Sequence, residues 1–151
     1  MISPAELQDL MGKWWLNYDE GNFDVLEQLL TEDVRFTART DSDEVAWAEF
    51  VRADLHGRAD VMAWHIDHRL NSPYPLRHNG ANVHFTGDRD GDAPFAMYVD
   101  VTHIVDEMPA SLPGGIVRGR VRQEGDRLRI CELGIVLDAM SSPTLSAIRP
   151  T

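Results

Sequence analysis

A tyrosine and an aspartate, Tyr18 and Asp19, follow two tryptophans near the start of the chain. Trp14 and Tyr18 are four residues apart, as are Trp15 and Asp19, so in a helix each pair lies on one stripe. If Asp19 ends that helix, the helix dipole disfavours its anionic form, and burial would favour the protonated acid that acid–base chemistry uses. The alternative is a solvated aspartate at a helix end, with Tyr18 and the tryptophans packed in the core.

Other residues that could bind a metal or a phosphate do not form a convincing site. His65 and His68 could present two ligands on one edge of a helix, but no third ligand lies at a fixed spacing from them. The acidic run 88–92 resembles a calcium loop, but its glycine is misplaced and Val99 stands where the loop needs glutamate. Residues 112–115 have no lysine and no following helix, so they do not form a phosphate loop. The sequence therefore predicts no metal and no cofactor.

The composition excludes several classes of partner and location. The formal net charge is −11, which argues against nucleic acid and against an anionic membrane surface, since both need a positive face. The single cysteine, Cys131, cannot form an internal disulfide and fits a reducing compartment. No apolar run is long enough to span a bilayer, and the N-terminus has no secretory signal pattern. We therefore expect a cytoplasmic protein.

The first helix is the element that must position Asp19. Ser3 and Glu6 form a capping box, and the apolar stripe that follows predicts a helix over residues 4–19. Gly21 ends this helix, and Asn22 can cap a short second helix.

Periodic patterns predict the remaining elements. In order they are a strand at 34–39, a short helix or irregular apolar segment within 41–56, a helix at about 58–70, and strands at 82–86, 95–105, 116–124 and 127–137. Glycine-containing runs predict a turn at Asn79-Gly80, a hairpin turn at 88–92 and a loop at 108–115. The alternation of the last strand slips near Cys131, which indicates a bulge.

Helices that precede hairpin-linked strands predict one α+β domain over residues 1–151. In this fold the N-terminal helices pack against a strongly curved antiparallel or mixed sheet. A sheet that wraps a helix leaves a cone-shaped cavity, a suitable place for a small apolar ligand. The side chains expected to line its walls are Trp14, Trp15, Trp64 and Met97.

The run Tyr18–Leu26, followed by Leu29–Val34, resembles the helix–helix–strand opening of SnoaL-like proteins. These belong to the nuclear-transport-factor-2-like superfamily, which includes polyketide cyclases, ketosteroid isomerases and scytalone dehydratase. Two further sets of residues resemble strand motifs of that superfamily. The first is Arg77-His78 followed by Asn82-Val83, and the second is Ala96–Tyr98 followed by His103. The resemblance implies a cone-shaped α+β barrel that pairs into a homodimer through its exposed sheet face.

Scytalone dehydratase-type members are nearest in pattern, and this resemblance implies an acid–base site. Tyr18 and Asp19 match a tyrosine–aspartate pair at the end of the first helix, and His78 and His103 match two strand histidines. Ala38 stands where a second tyrosine of that enzyme and the base of ketosteroid isomerases would lie, which argues against ketosteroid-isomerase chemistry. Each histidine also has a structural alternative: His103 could be a core histidine, and His78 could be exposed beside the predicted turn.

In this interpretation Asp19 orients a histidine, His78 or His103 transfers protons, and Tyr18 donates to a developing oxyanion. Three classes of function remain open. The first is a cofactor-independent lyase, isomerase or cyclase acting on a cyclic or polyketide-like molecule. The second is a non-catalytic binder of a similar apolar molecule, and the third is a scaffold whose sheet serves assembly only. A cavity packed solid with side chains would favour the scaffold.

Overall fold

The computed structural model describes residues 1–149, which form helices packed on one sheet. In chain order the elements are α1 (Pro4–Asp19), α2 (Phe23–Gln28), β1 (Leu30–Thr40), α3 (Ala48–Val51), β2 (Ala53–His56), α4 (Arg58–Leu70), β3 (Leu76–Phe85), β4 (Ala93–Val105), β5 (Met108–Glu124), β6 (Arg127–Leu137) and α5 (Leu145–Ile148). The strand order is β2-β1-β6-β5-β4-β3. β1 and β6 run parallel, and all other neighbours are antiparallel. The predicted α+β class is confirmed, although β2 and β3 remain as edges and the sheet does not close into a barrel.

Helix α1 begins and ends where the sequence predicts. The Ser3 side chain accepts a hydrogen bond from the Glu6 backbone N–H, and the Glu6 carboxylate accepts one from the Ser3 backbone, which completes the capping box. Gly21, just beyond the helix, has a φ of 69°, a conformation that glycine adopts without strain. Asn22 is the N-cap residue of α2, as predicted, but its side chain makes no capping hydrogen bond, and its amide donates to Asn17 instead. No helix among residues 1–149 is long and apolar enough to cross a membrane.

Four of the five strand pairs in the sheet are irregular. The register shifts once in each of the pairs β1–β6, β3–β4, β4–β5 and β5–β6, and an extra residue at such a point bends and twists a strand. In β6 the extra residue is Cys131, because Arg120 pairs with Glu132 while Val121 pairs with Ile130. The predicted bulge near Cys131 is therefore confirmed.

The loop predicted at residues 108–115 is wrong, since these residues form the first part of β5. The residues before Gly115 pair with β4 alone, because β6 joins β5 only from Gly115 onward. This part of β5 is consequently a sheet edge on one side, and proline is tolerated in edge strands. Pro109 and Pro113 therefore do not prevent a strand here.

Two other local predictions need correction. The predicted Asn79-Gly80 turn is wrong, because both residues pair with β4 within β3, opposite Asp100 and Val99. The irregularity in β3 falls instead at Asn82, which has a φ of 56°. Residues 41–56 contain the short helix α3, one of the two predicted alternatives, and also β2, which the sequence analysis did not predict.

Candidate active site

A cavity of about 400 Å³ lies between the helices and the sheet, within the size range of small-molecule sites. Among the described residues, none of those in its wall is Asp, Glu, Lys or Arg. The wall is largely aromatic and aliphatic, with three histidines, one tyrosine, one asparagine and one serine. An uncharged, mainly apolar molecule is the ligand class that such a wall accommodates. The residues are Trp14, Trp15, Tyr18, Phe36, Ala38, Trp47, Phe50, Val51, Trp64, His65, His68, Asn71, Ser72, Pro73, Leu76, His78, Val99, Val101, Leu112, Pro113, Ile135 and Leu137.

Asp19, the last residue of α1, forms a hydrogen-bonded pair with His78 of β3. The His78 backbone N–H donates to Oδ2 of Asp19 at 2.8 Å, and the His78 ring Nδ1 lies 2.5 Å from Oδ1. The Asp19 side chain is 5% exposed, and the His78 side chain is 14% exposed. Because the Asp19 carboxylate accepts the proton of Nδ1, Nε2 is the proton-free nitrogen of the neutral imidazole. His78 is part of the cavity wall, so the pair has the composition of a general base and the carboxylate that orients it.

Two aromatic rings of α1 fix the plane of the His78 ring. The Trp15 indole stacks on it with a centroid distance of 4.8 Å and an interplanar angle of 6°. The Tyr18 ring meets it edge-on at 5.4 Å. Burial raises the pKa of the Tyr18 hydroxyl above its ordinary range, so the hydroxyl keeps its proton and can act as a hydrogen-bond donor.

A buried arginine of α4 holds the end of α1 in place. Arg69 is 6% exposed, and its Nε and Nη2 donate to the backbone carbonyl of Asp19 at 3.0 and 2.8 Å. Its Nη1 donates to the carbonyl of Pro73 at 3.1 Å, in the segment that leads into β3. A positive charge at a helix C-terminus offsets the negative end of the helix dipole, which lies next to the Asp19 carboxylate. No sequence pattern indicates this role of Arg69.

Helix α4 contributes two further imidazoles to the wall. The ring Nδ1 of His65 lies 2.7 Å from the backbone carbonyl of Val61, and burial lowers the pKa of His65 to about 4. The His68 ring stacks with the rings of Trp64 and Phe50 at centroid distances of 4.3 and 4.4 Å. Burial is also the main cause that lowers the pKa of His68, and the nearby His78 adds to it. In the sequence, the spacing of His65 and His68 indicates two side chains on one edge of a helix, but it does not indicate their aromatic contacts.

The remaining predicted site residues divide into two groups. Trp14, Trp15 and Trp64 lie in the cavity wall, as the sequence analysis expected. Met97 does not, and it borders a separate groove between α1 and β3 that Asp19 and His78 also touch. His103 is outside the wall as well, near the end of β4 and opposite Leu76. The structure thus brings Asp19, Tyr18 and His78 together, and it does not bring His103 to them.

The profile of the SnoaL-like domain matches residues 3–134, which is most of the chain. The chain belongs to the SnoaL-like family. No curated protein matches it. An NTF2-like protein with a cystatin-like fold from Novosphingobium aromaticivorans has a TM-score of 0.71 and 18% identity, over 97% of this chain and 88% of that one.

Two further solved structures have a similar fold. The beta subunit of benzoate 1,2-dioxygenase from Burkholderia mallei has a TM-score of 0.68 and 18% identity, over 91% of each chain. A protein from Catenulispora acidiphila in complex with S-DNPA has a TM-score of 0.69 and 20% identity, over 88% of this chain and 91% of that one. At these identities the similarity establishes the fold of this SnoaL-like protein, and its chemistry must be argued from its own site.

Proposed function

We propose that this SnoaL-like protein catalyses proton transfer next to a carbonyl group of a small, uncharged, cyclic or polyketide-like molecule. It would act as a lyase, isomerase or cyclase that needs no cofactor. The observation that carries the proposal is the Asp19–His78 pair, because it couples an oriented imidazole to an apolar cavity. The resemblance to scytalone dehydratase-type proteins at Tyr18, Asp19 and His78 supports dehydratase-type chemistry in particular.

The proposed reaction begins when Nε2 of His78 takes a proton from the carbon next to the substrate carbonyl. The electrons of that C–H bond move onto the carbonyl oxygen, and the Tyr18 hydroxyl donates a hydrogen bond to the enolate that forms. The Asp19 carboxylate stabilises the imidazolium and keeps its orientation. The imidazolium then returns the proton, either to another carbon, which isomerises the substrate, or to a departing hydroxyl, which releases water. Trp14, Trp15 and Trp64 would contact the apolar part of the substrate.

His103 has no step in this mechanism, because it does not lie in the cavity wall. The second candidate function is non-catalytic binding of a similar molecule, and the same cavity supports it. An open cavity of this size argues against a role in assembly alone. The likeness to a dioxygenase beta subunit supports assembly with another chain as an additional role. We further propose that the protein forms a homodimer through the outer face of its sheet. We also propose a cytoplasmic location, because the single cysteine is free and buried.

The test uses 2-tetralone, a neutral bicyclic ketone, and follows the exchange of its α-hydrogens for deuterium by NMR. The wild-type protein should accelerate exchange above the buffer rate. His78→Gln should abolish the acceleration, and Asp19→Asn should reduce it by about 10²- to 10⁴-fold, since both remove oriented general-base catalysis. The exposed histidine of the same strand, His84, provides the matched control, and His84→Gln should exchange at the wild-type rate.

Quenching of tryptophan fluorescence by the ketone gives binding separately from exchange. Binding without any wild-type acceleration would establish the binder and contradict the catalytic proposal. Acceleration that survives His78→Gln would contradict the assigned base. Circular dichroism of each variant checks that the fold is kept.

A further inference from the structure

We propose that His65 forms a hydrogen-bond acceptor subsite in the buried part of the cavity, which selects ligands that carry a hydroxyl or N–H group. This inference rests on the proposed function in one respect, which is that the same cavity binds the ligand. It does not depend on catalysis. It assigns a role in specificity to a residue that lies on a different element from the Asp19–His78 pair.

The hydrogen bond to its own helix fixes the tautomer of His65. A backbone carbonyl can only accept, so the 2.7 Å contact between Nδ1 and the Val61 carbonyl places the ring proton on Nδ1. Nε2, at the distal edge of the ring, is then an acceptor with a free lone pair. The residue is 3% exposed, and burial lowers the pKa of its imidazole to about 4, so the imidazole stays neutral near pH 7 and keeps this acceptor.

Within residues 1–149, the aromatic residues around His65 donate no hydrogen bond to its Nε2. The rings of Trp14, Phe36 and Trp64 pack on the imidazole with centroid distances of 5.2, 4.4 and 5.0 Å. The Tyr18 ring lies edge-on at 5.8 Å, but its hydroxyl makes no hydrogen bond to His65. Among residues 1–149, Nε2 of His65 therefore has no hydrogen-bond partner, although the residue belongs to the cavity wall.

An acceptor in this position discriminates between ligands. A ligand with a suitably placed donor would satisfy Nε2, whereas an apolar ligand of the same shape would leave it buried and unpaired. Leaving a buried acceptor unpaired weakens binding by about tenfold to a hundredfold relative to pairing it. The Tyr18 ring lies 5.8 Å from the His65 ring and 5.4 Å from the His78 ring, and both imidazoles belong to the wall of the same cavity.

The experiment compares the dissociation constants of 2-naphthol and naphthalene, which differ by one hydroxyl group. Wild-type protein should bind 2-naphthol at least about tenfold more tightly. His65→Phe keeps an aromatic ring but removes the acceptor, and it should bring the two constants within about twofold of each other. His84→Gln, which changes an exposed histidine outside the cavity wall, should leave the preference intact. A preference kept in His65→Phe would overturn the inference, as would equal wild-type affinities.

A second measurement uses only the wild-type protein, in case His65→Phe does not fold. The ¹⁵N resonance of His65 Nε2 should shift on addition of 2-naphthol and remain unchanged with naphthalene. An equal response to both compounds would contradict the subsite. Because binding is measured, His78→Gln should retain the 2-naphthol preference while it loses tetralone exchange. Failure of the subsite and failure of the proposed catalysis are therefore seen in different assays.

Discussion

The replacement Arg69→Met tests whether a buried guanidinium holds the site together. Methionine keeps much of the apolar stem of the side chain but has no hydrogen-bond donor. The Asp19 carbonyl then loses two donors, at 3.0 and 2.8 Å, and the Pro73 carbonyl loses one at 3.1 Å. The negative end of α1 also loses the positive charge that offsets it.

The size of the effect follows from these contacts. A hydrogen bond to a charged group contributes about 1.5–3 kcal/mol, and two carbonyls lose such a partner in a buried place. We therefore expect the free energy of unfolding to fall by roughly 3–6 kcal/mol. For a domain of this length, each kcal/mol lowers the melting temperature by about 2–4 °C.

Urea denaturation followed by circular dichroism measures this change as a lower transition midpoint at an unchanged slope. The matched control is Arg77→Met, because Arg77 lies over the same Tyr74 ring at the same 5.7 Å but is half exposed and paired with Glu20. An exposed ion pair contributes about 0–1 kcal/mol, so the control should change little. A loss below about 1 kcal/mol in Arg69→Met, or equal losses in both variants, would refute the reasoning.

Two other predictions concern pH and assembly. The pKa of His65 is lowered to about 4 in the folded state from 6.5 in the unfolded chain, so the unfolded chain binds the extra proton first as the pH falls. His65 should therefore lower the free energy of unfolding by about 3 kcal/mol as the pH falls from about 6.5 to 4. In His65→Phe, the free energy of unfolding from urea titrations should depend less steeply on pH than in the wild type. Equal slopes in the two proteins would contradict this prediction. For assembly, light scattering at micromolar concentration should give twice the chain mass of 17.0 kDa, and a mass of one chain would contradict the homodimer.

Much of the fold was predictable because its long helices and strands repeat one hydrophobic period over many residues. The apolar stripe of α1 and the alternation of β4 each extend over several turns or residue pairs, and both elements are where these patterns predict them. The errors fall where local composition and long-range pairing disagree. Pro109 and Pro113 indicate a loop locally, yet pairing with β4 makes a strand of them. Local patterns carry no information about which partner strand will be present.

The site was predictable only in part, for a related reason. Asp19 stood out beside Tyr18, but His78, 59 residues later, was linked to it only through the resemblance to a known family. Arg69 could not be found in this way, since its partners are backbone carbonyls, and every residue has one. The setting of His65 depends on rings from α1, β1 and α4, which no local pattern brings together.

The position of Asp19 at the end of a helix supports the proposal that its pair with His78 serves catalysis. A carboxylate at a helix C-terminus meets the negative end of the dipole, and burial adds the cost of removing it from water. The fold offsets both with the guanidinium of Arg69 and with two hydrogen bonds from His78. A protein that needed only a stable core could place an apolar residue there and dispense with the buried arginine. Residues that break a local rule and need compensation elsewhere are characteristic of functional sites. The loss of tetralone exchange in Asp19→Asn, with folding retained, is the result that this argument requires.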